Sequence, residues 1–288
     1  MTQPYEWPTF PSSSAQEARL AVAARLREVM LDAGLTGQEL AARCGWNGAK
    51  TSRVINARTA PSDADIRTWC RACGADDQAE DLIAANRAVD SMYVEWRRLT
   101  RTGLRRLQES AAPLYERTRH FRSYSSRVVP GVLQTEAYAT ALLATVADFR
   151  RTPNDVADAV KARLARSRVV RTGHHRFAIL IEESVLYYRL GTVETMAEQL
   201  EHLRAAMALP AVSLGVIPFT AQRTMWPVET FNIFDDAEAG VELLSAQVTV
   251  TTPSELALYA QAFDRLKGFA VYGSQARALI SRAVDSLG

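Results

Sequence analysis

The chain has 288 residues, of which 48% are hydrophobic, and a formal net charge of +2. It is long enough for one large domain or two ordinary ones, and its overall charge alone predicts no polyanion partner. Three cysteines are too few for a disulfide framework, and no apolar run approaches the roughly 18 residues of a membrane span, so we expect neither a disulfide-rich secreted protein nor a membrane protein.

The first 13 residues are rich in proline and serine and predict a flexible arm. They lack the basic stretch followed by an apolar stretch that marks a secretory signal, and we therefore expect a cytoplasmic protein. Residues 14–90 show only helical patterns and are predicted to form the first folded domain. Its first helix is predicted to begin at Ser14, where Glu17 completes a capping box, and to end at Gly34.

The segment from Thr36 to Arg58 predicts two short helices joined by a tight turn. Thr36 and Glu39 form a capping box at the start of the first helix. Gly45 is placed where the turn requires a positive φ, and Asn47 can cap the second helix. This is the arrangement of a helix-turn-helix, in which the second helix lies in the major groove of DNA.

The second helix of this segment is predicted to pack Val54 and Ile55 onto the core, which leaves its other face for DNA. The predicted DNA-binding residues, which are small, polar or basic and lie outside the core, are Gln38, Asn47, Gly48, Ala49, Lys50, Ser52, Arg53 and Arg58. Residues 36–71 carry six basic and three acidic side chains, which fits a DNA-binding face. The alternative is an ordinary helical hairpin with an exposed basic face.

The same segment resembles the Xre/Cro-repressor family, which shares the helix lengths, the glycine turn and a Ser-Arg-Val or Ser-Arg-Ile run, here Ser52-Arg53-Val54. The resemblance implies binding to double-stranded DNA as a homodimer across two half-sites. Gly48 and Ala49 stand where many members have glutamine and serine, so direct base readout is expected to be sparse. Thr51 occupies a position usually filled by isoleucine or valine.

The rest of the chain mixes helical and strand patterns. More helix is predicted from about Gln78 to Glu116, broken near Gly103. Later helices are predicted at about 136–146, 152–171, 192–208, 253–267 and 275–286, and strands at 177–181, 212–217, 228–234 and 241–244. The predicted fold class is therefore mainly α, with an N-terminal all-α helix-turn-helix domain and an α+β C-terminal domain, residues 91–288, that has a small sheet.

The run VPGVLQTEAYA, from Val129 to Ala139, resembles a motif of the WhiJ-like regulators of actinobacteria. These join an Xre-type domain to a C-terminal domain of unknown function with the motif V-P-G-[LV]-L-Q-T-x-x-Y-A. The resemblance covers residues 15–285 and implies an antitoxin-like DNA-binding regulator, commonly encoded beside a small partner protein. From the residues alone, the motif is either a packing element, with Gln134 bonded to buried backbone, or a ligand or partner site.

Charge is distributed unevenly along the chain. Residues 91–175 carry 16 basic and 7 acidic side chains, a net of +9, whereas residues 176–288 carry 8 basic and 13 acidic, a net of −5. A GC-rich genome accounts for abundant arginine as readily as function does. The functional interpretations are a basic face that steers an acidic protein partner and a ligand-sensing pocket whose arginines bind an anion.

Two apolar features of the C-terminal part are candidates for protein contacts. An exposed Met225-Trp226 pair would mark a contact surface, and partly buried core aromatics are the alternative. The helix at 253–267 has an apolar face formed by Leu256, Tyr259, Phe263 and Leu266. That face is predicted either to pair two copies of the chain or to close the core of one copy.

We expect no catalytic residue, no metal site and no cofactor. The candidate clusters are Cys70-x-x-Cys73, His174-His175 and Glu182-Glu183. A zinc site needs four ligands, and only Cys44 lies near enough in sequence to join the cysteine pair. The histidines are expected to lie in a solvated turn, and the carboxylates have no evident partner for acid–base catalysis. Motifs for nucleotide binding or nucleophilic hydrolysis do not occur.

Overall fold

The computed structural model describes residues 14–88 and 93–288, so the arm predicted at residues 1–13 lies outside the described residues. The chain divides into two compact units. Unit 1 comprises the described residues of Met1–Tyr93 together with Thr251–Ser254, and unit 2 comprises Val94–Val250 and Glu255–Gly288. Across these described ranges, no helix has the length and apolar character that a bilayer span requires.

Unit 1 is built from short helices around one apolar core. The helices are α1 (Ser14–Asp32), α2 (Gly37–Cys44), α3 (Gly48–Ile55), α4 (Asp63–Cys73) and α5 (Ala79–Ala88). Each contributes a buried side chain to the core: Leu26, Leu40, Val54, Ile66 and Ile83 in chain order. The indole Nε1 of Trp69 donates to the carbonyl of Leu26 at 3.0 Å. The largest side chain of this core therefore has a hydrogen-bond partner for its buried N–H group.

Unit 2 is built on a mixed sheet. Its strands are β1 (Tyr93–Glu95), β2 (His120–Ser125), β3 (Arg176–Glu182), β4 (Val212–Ile217), β5 (Phe231–Phe234), β6 (Glu238–Glu242) and β7 (Ala246–Val250). Their order in the sheet is β1-β7-β6-β5-β2-β3-β4. β2 pairs in parallel with β3, and β3 with β4, whereas β2 pairs with β5 in the antiparallel sense. The interior strand β2 therefore joins the parallel part of the sheet, β2-β3-β4, to the antiparallel part that contains β5, β6 and β7.

Helices connect and cover these strands. They are α6 (Trp96–Leu99), α7 (Arg105–Ser110), α8 (Ala112–Arg117), α9 (Glu136–Arg150), α10 (Val156–Ser167), α11 (Val193–Ala206), α12 (Pro253–Lys267) and α13 (Gly273–Asp285). Successive side chains of β3 pack into two different apolar clusters, one on each face of the sheet. Ile179 and Ile181 pack with residues of α11 and α13, and Leu180 packs with residues of α12. Burial on both faces explains why this strand is a continuous apolar run.

The apolar face predicted on α12 closes the core of unit 2. Phe263 and Leu266 are buried in the cluster that contains Phe231 and Leu180, and Leu256 and Tyr259 pack against it. The alternative use of this face, to pair two copies of the chain, is therefore not the one the structure shows.

The predicted fold class is confirmed, since unit 1 is helical and unit 2 combines helices with a sheet. The helix predicted from Gln78 to Glu116, with a break near Gly103, is confirmed at α5, α7 and α8 and in the break at Gly103, but it is wrong at Tyr93–Glu95, which is a strand. Strands β2 and β7 are not predicted by the sequence patterns. In β2 the reason is physical, because Arg122 and Ser123 interrupt its apolar residues and find their partners far along the chain, at the carbonyl of Asp235 and the side chain of Asn232.

Gly215 in β4 lies close to Tyr272 and Ala270, and this close packing gives a testable prediction. A Cβ on Gly215 would lie 2.7 Å from Cε1 of Tyr272 and 3.0 Å from Cβ of Ala270. Tyr272 has little room to retreat, because its neighbour Val271 exchanges both backbone hydrogen bonds with Val216. We predict that Gly215→Ala lowers the free energy of unfolding by about 1–3 kcal/mol, measured by chemical denaturation.

Gly240 in β6 provides the matched control, since a Cβ there would meet only Cε2 of Phe234 at 3.6 Å. Gly240→Ala is expected to leave stability unchanged or to raise it by up to about 1 kcal/mol, because alanine loses less backbone freedom than glycine on folding. Equal stability of the two variants would contradict the steric argument.

Candidate nucleic-acid interface

The start and end of α2 follow from local side-chain chemistry. The amide of Glu39 donates to Oγ1 of Thr36 at 3.3 Å, and the amide of Thr36 donates back to Oε2 of Glu39 at 2.8 Å. The hydroxyl of Thr36 also donates to Oε2 of Glu39 at 2.7 Å. The hydrogen bond from the Thr36 amide, and then the one from its hydroxyl, lower the pKa of the Glu39 carboxyl. α2 ends at Gly45, whose φ of 67° confirms the left-handed turn predicted there.

Helix α3 is fixed at both ends. At its start, Oδ1 of Asn47 accepts a hydrogen bond from the amide of Lys50 at 2.8 Å, which confirms the predicted cap. At its end, Nη2 of Arg27 on α1 donates to the carbonyl of Ile55 at 3.1 Å. A cation at the C-terminal carbonyls of a helix also favours the helix dipole. The orientation of α3 on unit 1 is therefore set by contacts outside the DNA-binding face.

The two faces of α3 differ in burial. Thr51 and Val54 are 1% and 2% exposed and face the core. The predicted DNA-binding residues that are exposed are Gln38, Asn47, Gly48, Ala49, Ser52, Arg53 and Arg58. Three of them, Gln38, Gly48 and Ser52, line one open groove where the start of α2 meets α3. The structure thus brings most of the predicted residues to the surface and places these three side by side.

Lys50 departs from the predicted arrangement. Its Nζ lies 2.5 Å from Oδ1 of Asp65 on α4 and 4.2 Å from the ring centroid of Trp46, and the side chain is partly buried. Burial opposes the charge on Asp65, but hydrogen bonds from Lys50 and Ser62 outweigh it and lower the pKa of that carboxyl. The ammonium of Lys50 therefore already has an anionic partner, and the expectation that it lies free on the DNA-binding face does not hold in this structure.

Arg53 and Arg58 are the basic side chains that remain available. Within the described residues, neither guanidinium forms a hydrogen bond or an ion pair, and both side chains are exposed. Arg58 follows α3 after Ala57, which has a φ of 52° and turns the chain away from the helix axis. Unpaired guanidinium groups at the end of an exposed helix are suited to phosphate oxygens or base edges.

Thr51 is the polar exception on the buried face of α3. Its Oγ1 is buried and has no hydrogen-bond partner among the described residues. An unpaired buried hydroxyl costs about 1–3 kcal/mol. The aliphatic residue that the resemblance leads one to expect at this position would avoid that cost.

The two carboxylates of Glu182 and Glu183 in unit 2 have partners, although none was evident from the sequence. Glu182 and Glu183 are both buried. Glu182 accepts a hydrogen bond from the hydroxyl of Tyr124 at 2.7 Å and pairs with Arg223. Glu183 accepts from the amide of Phe219 at 2.8 Å. The expectation that these carboxylates lack partners is wrong, because their partners come from distant parts of the chain.

The other candidate clusters are also held by packing. Cys70 lies in the core of unit 1, and burial raises the pKa of its thiol to about 11. His175 is partly buried, with Nδ1 2.6 Å from the carbonyl oxygen of Thr118, whereas His174 is exposed. The prediction of a solvated turn therefore holds for only one of the two histidines.

Comparison with known protein families gives two matches. A model described as a domain of unknown function (DUF5753) matches residues 108–282, and a model described as a helix-turn-helix domain matches residues 21–83. No curated protein and no solved structure matches the chain. The second family match includes α2 and α3, so the helix-turn-helix predicted from the sequence is confirmed.

The unpaired hydroxyl of Thr51 gives a prediction for this helix. Thr51→Val is expected to raise the free energy of unfolding by about 1 kcal/mol, because it removes a buried unpaired polar atom and keeps the shape of the side chain. DNA affinity is expected to stay the same, since the residue faces the core. Thr51→Ser is the control: it keeps the hydroxyl and loses a methyl group, and is expected to be less stable than the wild type. A destabilised Thr51→Val would contradict the prediction.

Proposed function

The chain belongs to the DUF5753 family, and we propose that it is a cytoplasmic, Xre-type transcription regulator that binds double-stranded DNA sequence-specifically and catalyses no reaction. The observation that carries the proposal is the division of α3 within a helix-turn-helix domain. Its core face holds Thr51 and Val54, and the exposed Ser52 and Arg53 lie between them in sequence. Such a helix can enter the major groove without disturbing the core.

The exposed residues take different roles in this proposal. Arg53 and Arg58 supply positive charge to phosphates or base edges. Gln38 and Ser52 supply hydrogen bonds from the groove they share. Gly48, Ala49 and the capping Asn47 allow the start of α3 to approach the DNA closely. Lys50 contributes only if its ion pair with Asp65 opens.

We further propose that two copies act together under the control of unit 2. One helix-turn-helix covers a small half-site, and regulators of this kind bind pairs of half-sites about 34 Å apart. The apolar face of α12 is used inside unit 2, so it does not supply the contact between copies. Unit 2 contains most of the chain and is the part that would receive a signal.

Arg53 provides the principal test of DNA binding. We expect Arg53→Ala to weaken binding to the chain's own upstream DNA by about 1–3 kcal/mol if the guanidinium contacts a base edge. If it contacts a phosphate, specific and random DNA should weaken alike, and the salt slope should fall by about 0.9. Fluorescence anisotropy over a salt series measures both, and light scattering of the complex should show two chains for each operator.

Arg25→Ala is the charge-matched control. Arg25 lies on α1 and is paired with Glu28 at 2.8 Å, so its removal is expected to leave DNA affinity nearly unchanged. Lys50→Ala is expected to lower the stability of unit 1, because it removes the ion pair between Lys50 on α3 and Asp65 on α4.

Equal DNA affinity of the wild type and Arg53→Ala would contradict the proposal that α3 contacts DNA. A complex with one chain for each operator would contradict the proposed dimer.

Exposed aromatic surface favours a second role for unit 2, as an antitoxin-like module that binds a small protein encoded by an adjacent gene. Trp226 is 72% exposed, whereas Met225 packs against the core, so only the tryptophan of the predicted pair is a surface feature. Exposed tryptophan is common at the centre of protein interfaces.

This second role predicts a specific loss. When the chain is co-expressed with the adjacent reading frame, Trp226→Ser is expected to stop copurification of its product without changing thermal stability, because the side chain makes little core contact. Phe149→Ser, at a residue 67% exposed in the same unit, is the matched control and should retain the partner. Failure of the wild-type chain to copurify the product would refute the role.

A further inference from the structure

Unit 2 contains a cavity of about 120 Å³. It is lined by residues of the sheet, of α10 and of the run from Val129 to Ala139, which we call the VPG motif. The sheet contributes Phe121, Ser123, Phe177, Ile179 and Asn232, and the remaining lining includes Tyr115, Gln134, Arg163 and Arg166. The lining is therefore both apolar and polar, with aromatic rings on the sheet side and guanidinium groups from α10.

The two arginines of α10 contact neutral groups in the cavity wall. Nε of Arg163 donates to Oε1 of Gln108 at 3.0 Å, and Nη1 donates to Oε1 of Gln134 at 2.7 Å. Nη1 of Arg166 donates to the carbonyl of Gln108 at 3.4 Å, and its guanidinium carbon lies 4.4 Å from the ring centroid of Tyr115. Amides and an aromatic ring orient these cations but do not neutralise them.

Neither arginine forms an ion pair within the described residues. Among the described residues, no carboxylate oxygen lies within 4.0 Å of a nitrogen of Arg163 or Arg166. Glu242 also lines the cavity, but its side chain is exposed and forms no hydrogen bond or ion pair with either arginine. Nε of Arg166 is buried without any partner. Burial, and then the neighbouring charge of Arg166, lowers the pKa of Arg163 to about 10, although the more distant charge of Glu242 acts in the opposite direction. Placing like charges together away from water costs free energy that a bound anion would recover.

We propose that this cavity binds a small organic carboxylate, whose carboxylate group faces Arg163 and Arg166 and whose apolar body lies against Phe121 and Phe177. An apolar cavity of about 150 Å³ is known to hold a benzene ring. The cavity in unit 2 is smaller, at about 120 Å³, but it is open to solvent at the exposed Glu242, so it suits a ligand no larger than one ring or a short chain. A doubly charged phosphate would lose more hydration in a wall that is partly aromatic, and much of the hydrogen-bonding capacity of Arg163 is already used. The lining therefore favours a single carboxylate.

The site also gives the VPG motif a role beyond packing. Gln134, within the motif, donates to the carbonyl of Val129 at 2.7 Å and accepts from Arg163. The motif thus fixes the turn and orients the guanidinium at the cavity wall. Because the cavity lies in unit 2, its ligand can be tested whether or not unit 1 binds DNA.

The test compares an acid with its neutral analogue on the full chain. Fluorine NMR titration is expected to show para-fluorobenzoate binding at least about tenfold more tightly than para-fluorobenzamide, because only the acid gains charge-assisted hydrogen bonds. Arg163→Gln and Arg166→Gln are each expected to remove that preference. Lys161→Gln, which alters an exposed cation on the same helix, should retain it.

Several results would overturn the proposal. They are equal affinity for acid and amide, no binding of either at up to about 10 mM, and displacement of the acid by inorganic phosphate at equal concentration. Circular dichroism establishes whether each arginine variant is folded. If neither variant folds, the comparison of acid and amide on the wild-type chain decides the question alone.

Discussion

Two buried glutamines form hydrogen bonds with the backbone of the VPG motif in unit 2. The cavity beside this motif depends on those hydrogen bonds for its shape. Gln199 on α11 donates to the carbonyl of Leu133 at 2.7 Å and accepts from the amide of Thr135 at 2.8 Å. Gln134 donates to the carbonyl of Val129. This segment is neither strand nor long helix, so without these side chains its buried backbone groups would be unpaired, at about 1–3 kcal/mol each. The glutamines thus allow an irregular turn to exist inside the core and to carry the groups that line the cavity.

The same requirement that buried polar groups be paired shapes the DNA-binding face of unit 1. Lys50 lies on α3 at a position that is partly buried, and Asp65 and the ring of Trp46 satisfy it there. The carboxylate of Asp65 also accepts a hydrogen bond from the amide of Ser62 at the start of α4, so one carboxylate orders both helices. The cost is that α3 loses one of its two cations to the fold. In the proposed mode of DNA binding, recognition then depends on Arg53, on Arg58 beyond the helix and on backbone that small residues leave accessible.

Elements whose signals are local could be predicted from the sequence, and elements that need distant partners could not. The helix predicted at 253–267 is α12 without change, and the strand predicted at 212–217 is β4 without change. β2 escapes prediction because its polar residues interrupt the alternation. At the candidate site, helical periodicity predicts the exposure of Arg53, whereas the partner of Lys50 lies 15 residues away on another helix. A local pattern reports which face of a helix is buried and does not report which charges meet.

Charge separation along the sequence is likewise not charge separation in space. Residues 91–175 are strongly basic and residues 176–288 acidic, yet folding joins them in pairs such as Arg117–Glu238 and Arg122–Asp236. The basic stretch therefore predicts no single basic face, and a genome rich in arginine codons accounts for exposed arginines without a function. It does not account for Arg163 and Arg166, because an apolar residue in a partly buried wall usually stabilises a protein at least as well as a charge does. Guanidinium groups that have hydrogen-bond partners but no ion pair in such a wall are a cost to folding, and a bound anion is a physical means of offsetting it.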